Sequence, residues 1–488
     1  MSPPAGPAGG GDGGHGTSDG GSDDGTDGRL TDRVGLPAVL VLLVGNAVSV
    51  PIYVLSGPLA GGEGLGAGPA VVLAAVLAAI PAGFVVLYNA LLGSAVPVAG
   101  GLYVYISRLT APFWGFLVPW TLPLVVWATL LVTATGFAEY ARFFVDVPAI
   151  VLMYVLLAGV VALNVVGLRL VVQAQALFVA GLALALLAFV VPGATAVDPA
   201  NYTPVLPDAG AFGVAAVALF YPFLGFGLLT ELGEEIDDPG RTIPLALGIG
   251  IVVVAVCYVA LIAVLVGVVP WRELGHPADV ALAARRFLPP WGVSLVAAGA
   301  LFAVVTSVNT SVLVASRTVM RAGRDGILPE SVSRIHPRFD TPWVAVLVLG
   351  GPPFLLVPLA DDVVGLSAFI GLASLTAYFF SAVGLWNLPR EFPAHYAAAP
   401  FRLRRDRGLP LAVLGGALAT GAFWVVTLVR LPTVGVVLVG WFLLGYAYYR
   451  HRLRGVDRVA MYRRMTTLAD HEGVARADRP ADGRESDA

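Results

Sequence analysis

Long apolar stretches alternate with short polar connections from residue 35 to residue 450. The hydrocarbon core of a bilayer takes about 20 residues of α-helix. The stretches approach or exceed that length, and none shows the alternation over about ten residues that marks a membrane β-strand. The pattern predicts an all-α integral membrane protein with about 12 transmembrane helices. The approximate limits of these spans are 35–59, 67–92, 113–138, 148–167, 171–192, 212–236, 243–268, 292–317, 342–360, 363–388, 410–429 and 432–450.

The sixth span contains its own interruption. Pro222, Gly225 and Gly227 follow an apolar helical run within a few residues of one another. Proline removes a backbone donor and clashes with the preceding turn, and glycine makes departure from helical geometry inexpensive. We therefore expect this helix to break in the middle of the membrane, where its freed backbone groups need protein partners or a wet cavity.

The first span is interrupted at a similar depth by Pro51, with Asn46 and Ser49 as polar neighbours. The sixth span is five spans after the first, an odd number, so the two broken helices run in opposite directions. Paired broken helices in inverted halves of a chain are typical of secondary transporters, which bind their substrates at the breaks. The pairing favours a functional site over two unrelated proline kinks.

Broken helices suit a zwitterionic ligand. A half-helix N-terminus presents partial positive charge to a carboxylate, and free carbonyl groups accept hydrogen bonds from an ammonium group. Both ligand charges are then met by backbone, without a costly buried side-chain charge. The predicted substrate-binding residues are Ser49, Val50, Pro51, Ile52, Tyr53, Phe220, Tyr221, Phe223, Gly225, Phe226 and Gly227.

Composition agrees with a membrane protein. Apolar residues make up 57% of the 488 residues and charged residues 12%, against about 25% charged in soluble domains. Residues 1–30 form an acidic tail rich in glycine and aspartate that is expected to be disordered, and residues 451–488 form a polar tail. No nucleic-acid partner and no metal site is expected, and the single cysteine, Cys257, cannot form an intramolecular disulfide.

The arginine distribution predicts the orientation. With the N-terminus inside, the inner connections and the C-terminal tail hold most of the arginines, and the chain contains no lysine. Such an excess marks the cytoplasmic side, so both termini are expected in the cytoplasm, with the protein in the plasma membrane. The outer segments hold only Arg142, Arg272, Arg285, Arg286 and Arg430.

Three motifs carry a family resemblance. The sixth span and its continuation read Phe223-Leu224-Gly225-Phe226-Gly227, Glu234-Glu235 and Asp238-Pro239-Gly240-Arg241-Thr242-Ile243-Pro244. The eighth span and its continuation read Ser307-Val308-Asn309-Thr310-Ser311, Ser316-Arg317 and Arg324-Asp325-Gly326-Ile327-Leu328-Pro329, and the second span is followed by Pro97-Val98-Ala99-Gly100-Gly101-Leu102-Tyr103-Val104-Tyr105. In order and spacing, these motifs resemble those of the amino acid–polyamine–organocation (APC) transporters.

The resemblance covers roughly residues 35 to 450 and implies a leucine-transporter-like fold. Two inverted five-helix repeats, about 35–192 and 212–388, would be followed by two further helices, about 410–450. It also implies a secondary active amino acid permease and no enzymatic activity. A transporter of another amine or organocation and a transporter-like nutrient sensor remain alternatives, and a channel fits two opposed helix breaks less well.

Two positions depart from the family pattern. Val50 and Pro51 stand where relatives carry a G-x-G whose amides contact a substrate carboxylate. Gly227 stands where many relatives carry an acidic residue. Because the predicted site offers apolar and aromatic surface but no ionised side chain, neutral amino acids are the expected substrates.

No cofactor is expected, and the coupling-ion candidates are sodium and a proton. Relatives in this fold place sodium between the first-helix break and hydroxyl groups of the eighth helix, for which Thr306, Ser307, Thr310 and Ser311 are candidates here. The alternative is that these small polar residues only mediate helix packing.

Charged residues near the predicted inner mouth are candidates for a gate. The acidic candidates are Glu231, Glu234 and Glu235, and the basic candidates are Arg317 and Arg321. The alternative interpretation is a solvated rim. The sequence leaves the oligomeric state open.

Overall fold

The computed structural model describes residues 35–61, 66–96, 101–166, 169–227, 229 and 236–452. Within these residues, eleven helical stretches are long and apolar enough to cross a bilayer, and a shorter apolar helix covers Trp343–Leu359. The α-helices are α1 (Leu36–Ala47), α2 (Val50–Val54), α3 (Ser56–Gly61), α4 (Val71–Ala95), α5 (Gly101–Leu109), α6 (Pro112–Ala141), α7 (Ala149–Val166), α8 (Arg169–Gly193), α9 (Ala209–Ala218), α10 (Pro239–Val268), α11 (Asp279–Ala284), α12 (Pro290–Arg324), α13 (Trp343–Gly350), α14 (Pro353–Leu356), α15 (Val363–Glu391), α16 (Pro393–Ala398), α17 (Gly408–Arg430) and α18 (Pro432–Arg452).

These helices confirm the predicted membrane architecture of about twelve spans. The first span comprises α1, α2 and α3, and the sixth begins with α9 and continues as a 3₁₀-helix over Tyr221–Gly227. Both predicted breaks are therefore present. The inner and outer faces of the molecule are named here after the arginine-based prediction.

The ninth span is also divided, which the apolar pattern did not predict. α13 ends at Gly350, and α14 begins at Pro353 and leads into a 3₁₀ turn over Val357–Leu359. Prolines at 352 and 353 cannot donate backbone hydrogen bonds and suit the first turn of a new helix. A uniformly apolar run thus contains a second helix start that hydrophobicity alone conceals.

Helices at equivalent positions in the two halves of the chain make equivalent contacts. α6 packs against α15 as α12 packs against α8, and α4 packs against α9 as α10 packs against α1. The pairs α6–α7 and α12–α13 also correspond. A short helix follows the second span of each half, α5 in the first and α11 in the second. Swapping the halves preserves these contacts, as two repeats of five spans would.

Two tryptophans join a repeat to the accessory helices. The indole N–H of Trp120 on α6 donates to the carbonyl of Trp441 on α18, and the indole of Trp441 donates back to the carbonyl of Trp120, each at 3.1 Å. The two rings stack with centroids 4.9 Å apart. This reciprocal pair, the indole clasp, holds α18 against α6.

Many large apolar side chains point away from the interior. Leu177, Val191, Val256, Leu411 and Val429 are each more than 60% exposed. A contiguous apolar exterior of this kind is unfavourable in water and suits the hydrocarbon of a bilayer. The exposed faces of the spans therefore identify a multi-pass membrane protein.

Candidate functional site

The first break consists of two non-helical residues that separate α1 from α2. α1 ends at Ala47, Ser49 is extended (φ −124°, ψ −168°), and α2 begins at Val50 with Pro51 in its first turn. Proline is favourable in a first turn because its missing N–H would have had no intrahelical partner. Residues 47–60 are all buried. The break therefore lies inside the protein, with Ser49 at its centre.

The second break lies directly against the first. After α9 ends at Ala218, the chain winds as a 3₁₀-helix through Gly225. The side-chain amide of Asn46 donates to the carbonyl of Gly225 at 3.3 Å. A Cβ atom added to Gly225 would lie 3.0 Å from both the N and the Cα of Ala47. Glycine at 225 thus lets two backbones approach closely.

A cavity of about 230 Å³ adjoins the two breaks. Ligand pockets for drug-sized molecules usually measure about 300–1,000 Å³, so this one suits a smaller molecule. Among the described lining residues none is acidic or basic. Its lining includes Asn46, Ser49, Thr121, Val125, Thr129, Tyr221, Leu224, Gly225, Gly227, Ser307, Ser311, Thr318, Ser374 and Tyr378.

Four of the eleven predicted substrate-binding residues line this cavity: Ser49, Tyr221, Gly225 and Gly227. The remaining seven are buried in the protein core and are not among its lining residues: Val50, Pro51, Ile52, Tyr53, Phe220, Phe223 and Phe226. The aromatic surface expected from the sequence therefore packs mainly against protein in this conformation.

The 3₁₀ geometry explains which aromatic residues turn away. A 3₁₀-helix has three residues per turn, so residues three apart share one face. Phe220, Phe223 and Phe226 share the face toward the core, where the rings of Phe223 and Phe226 stack with centroids 6.0 Å apart. Tyr221 and Gly227 share the face toward the cavity, together with Leu224, which the sequence interpretation did not include.

Sequence reasoning also missed the third and tenth spans. Thr121 and Thr129 on α6 line the cavity, as do Ser374 and Tyr378 on α15. One signal was available, since threonines 121, 129 and 133 are spaced by eight and four residues and so lie on one face of an otherwise apolar helix. The Tyr221 hydroxyl lies beside the last two of these threonines.

The hydroxyl groups of the eighth span have mixed positions. Ser307 and Ser311 on α12 line the cavity, whereas Thr306 is buried and does not. Ser307 donates to the Ala303 carbonyl and Ser311 to the Ser307 carbonyl, both at 2.8 Å. Their protons are used within the helix, and their oxygens remain available as acceptors. The side chain of Thr310 lies outside the described part, so a coupling-ion site stays a prediction.

The predicted inner gate cannot be assembled from the described residues. Glu231, Glu234 and Glu235 lie outside them. On α12, Arg317 is exposed and Arg321 is half-buried. Pairing between these acidic and basic groups stays a prediction.

The outer side of the breaks is tightly packed. The Tyr140 hydroxyl donates to the Tyr53 carbonyl at 3.0 Å. At Gly57 on α3 there is no room for a methyl group, which would clash with the Asp279 carboxylate and the His276 carbonyl. The connection before the eighth span thus covers the outer half of the first span. The cavity extends in the opposite direction, to Thr318 near the inner end of α12.

Asp279 is the buried acid of this outer closure. Its Oδ2 accepts hydrogen bonds from the backbone N–H groups of Gly275 and His276, at 2.7 and 2.8 Å. Burial raises the pKa of Asp279 above its usual value, and the two backbone donors oppose that rise. Nearby, His276 Nε2 lies 3.4 Å from Glu139 Oε2.

Comparison with known proteins identifies transporters along nearly the whole membrane region. A family model described as amino acid permease matches residues 34–448. An uncharacterised transporter of Mycobacterium tuberculosis is 33% identical over 350 residues, covering 70% of this chain and 77% of that protein. The branched-chain amino acid permease BcaP of Lactococcus lactis is 26% identical over 447 residues, covering 84% and 92%. Cationic amino acid transporter 4 of Mus musculus is 27% identical over 370 residues, covering 71% and 58%.

Proposed function

Because the chain belongs to the amino acid permease family, as its resemblance to the APC transporters predicted, we propose that it carries neutral amino acids across the plasma membrane by alternating access. The observation that carries this proposal is the cavity at the two helix breaks, whose described lining holds no ionised side chain. An amino acid's own charges would be met by hydroxyl groups and by backbone freed at the breaks.

The size and polarity of the cavity support a neutral side chain. Its walls combine hydroxyl groups with aliphatic residues such as Val125 and Leu224. A cationic side chain without a partner costs about 2.5–3.5 kcal/mol at the centre of a membrane helix by insertion scales. The similarity to a branched-chain amino acid permease favours the same class, whereas the similarity to a cationic amino acid transporter keeps cationic substrates as the alternative.

Two features support alternating access. The outer side of the breaks is closed by Tyr53, Gly57 and Asp279, while the cavity reaches toward the inner end of α12. In a fold of two inverted repeats, exchanging the packing of one repeat for that of the other opens the opposite side. The described state is then the inward-facing member of such a pair, with both termini in the cytoplasm.

Uptake into liposomes by the purified protein tests the proposal. Labelled leucine should accumulate under an imposed sodium or proton gradient, and whichever gradient drives uptake identifies the coupling ion. Phenylalanine and alanine should compete, and arginine should compete roughly a hundredfold more weakly, in line with the cost of an unpaired cation in the site.

A second test uses the variant Thr121→Val, which removes one hydroxyl group from the cavity. It should bind leucine more weakly than the unmodified protein and should still fold. A stronger competition by arginine than by leucine would reject the neutral-substrate proposal. Ligand binding by the purified protein without uptake under any gradient would favour the sensor alternative.

A further inference from the structure

A second cavity, of about 750 Å³, lies between α6, α15, α17 and α18. Apolar and aromatic side chains dominate its walls, among them Phe113, Phe379, Phe442 and Leu443. Several polar groups in the walls are used within the protein: Trp424 Nε1 donates to Thr376 Oγ1 at 2.9 Å, and Thr420 Oγ1 donates to the Gly416 carbonyl at 2.8 Å. The cavity therefore suits an apolar ligand.

The cavity is short enough to lie within one leaflet of the membrane. Its lining on α18 runs from Val439 to Tyr446, and seven helical residues span about 10 Å. One leaflet contributes about 15 Å of hydrocarbon. The cavity also contacts the first two turns of α6, which begins at the inner face, and it therefore reaches from the middle of the bilayer toward the inner surface.

A cation stands at the inner end of the cavity. The guanidinium of Arg450 donates to the Tyr446 hydroxyl at 3.2 Å and lies over the Tyr446 ring, 5.8 Å from its centroid. Arg450 is exposed, and its remaining donors can reach a phosphate. The sequence holds six arginines between positions 450 and 464. Basic clusters that directly follow a membrane helix on the cytoplasmic side attract anionic lipids.

We propose that this cavity binds an anionic phospholipid of the inner leaflet. One acyl chain occupies the space lined by Phe442 and Leu443, and the phosphate is held by Arg450. Hydrophobic burial binds the chain, and charge selects the headgroup. A zwitterionic phospholipid has the same chains but carries no net negative charge to match Arg450.

The lipid would contact the wall of the central cavity. Trp114 on α6 and Phe380 on α15 line both cavities, and their rings stack with centroids 4.3 Å apart. Thr376 also lines both. An acyl chain against this shared wall holds the rings at the inner side of the substrate cavity. The resulting dependence of transport on anionic lipid rests on the proposed function, whereas the binding itself does not.

Fluorescence quenching measures binding without any transport. The purified protein is reconstituted into vesicles of phosphatidylcholine with a minor fraction of phosphatidylglycerol, and either lipid carries bromine atoms on its chains. Trp114 and Trp424 lie in the cavity wall, so brominated phosphatidylglycerol should quench more strongly than brominated phosphatidylcholine at equal fraction. Arg450→Gln should reduce this preference about fivefold, the effect of one basic residue near an anionic surface. The exposed Arg334, changed to Gln, is the control for charge.

A filling variant tests the cavity itself. A Cβ added to Gly421, which lines the cavity on α17, meets no atom of the described residues within 4 Å. Gly421→Phe should therefore fold normally and lower quenching by brominated phosphatidylglycerol. Gly440→Phe is the matched control, because that glycine on α18 is equally free of neighbours and does not line the cavity. Equal quenching by the two lipids in the unmodified protein, or equal quenching in the two glycine variants, would overturn the proposal.

Discussion

The buried carboxylate of Asp279 should make the stability of the protein depend on pH. It is buried against Gly57 and holds the backbone of Gly275 and His276. Burial raises its pKa above the ordinary value of 3.8, so folding favours the protonated form. The contribution of protonated Asp279 to the stability of the fold is fully present below the pKa of an ordinary aspartate. It is lost as the pH rises through the raised pKa of the folded protein.

Replacing this acid should therefore change the pH dependence of stability. Asp279→Asn cannot ionise, and its side-chain oxygen can still accept from the two backbone donors. We expect its unfolding temperature to rise relative to that of the unmodified protein as the pH increases from about 3.5 to 7. Thermal unfolding in detergent across this range measures the difference. The exposed Asp361, changed to Asn, controls for the loss of a charge, and a difference independent of pH would contradict the prediction.

At the scale of elements, the contact between the two helix breaks depends on Gly225. The 3₁₀ segment approaches Ala47 so closely that a Cβ added at position 225 would lie 3.0 Å from its backbone. At Gly227 the corresponding Cβ meets, among the described residues, only the Tyr378 side chain, with its hydroxyl at 2.7 Å. A side-chain end can move, whereas the helical backbone of α1 cannot move without repacking.

Alanine at these two glycines should therefore have unequal effects. Gly225→Ala should destabilise the protein by about 1–3 kcal/mol, the usual cost of overpacking, and should weaken leucine binding. Gly227→Ala should cost less, because only Tyr378 has to shift. Thermal unfolding with and without leucine measures both effects. Equal destabilisation by the two changes would show that the breaks do not rely on close backbone contact at position 225.

The sequence predicted which helices cross the membrane more securely than how they are rotated. The thickness of the bilayer sets the length of an apolar span, so such spans can be found from sequence: the span predicted at 148–167 is found at Ala149–Val166. α12 continues past the predicted limit of 317 to Arg324, because an arginine ends an apolar run but not a helix. Phe220, Phe223 and Phe226 point toward the protein core because the segment winds as a 3₁₀-helix. Proline and glycine signals in the sequence do not specify that winding.

At the scale of the whole molecule, the arginine distribution predicts the orientation of the protein in the membrane, and cysteine labelling can test it. In a background with Cys257→Ser, single cysteines at the exposed positions Leu206 and Arg404 report on opposite faces. Leu206 is preferable to its neighbour Asp208, whose side chain caps α9 by accepting from the N–H groups of Gly210 and Ala211. An impermeant maleimide on intact cells should label position 206 and spare position 404.

Lysed cells provide the control, since both positions should then react. Labelling of position 404 together with protection of position 206 on intact cells would reverse the orientation. The lipid site would then face the outer leaflet, and the closed side of the cavity would face the cytoplasm.

The indole clasp has a consequence for synthesis. Trp120 and Trp441 are 321 residues apart in the chain. A ribosome adds about 5–20 residues per second, so roughly 16 to 64 s separate the synthesis of the two rings. During that interval the aromatic face of α6 has no α18 to receive its indole N–H, and lipid or the insertion machinery must cover it. The contact between α6 and α18 is thus completed only after α18 has left the ribosome.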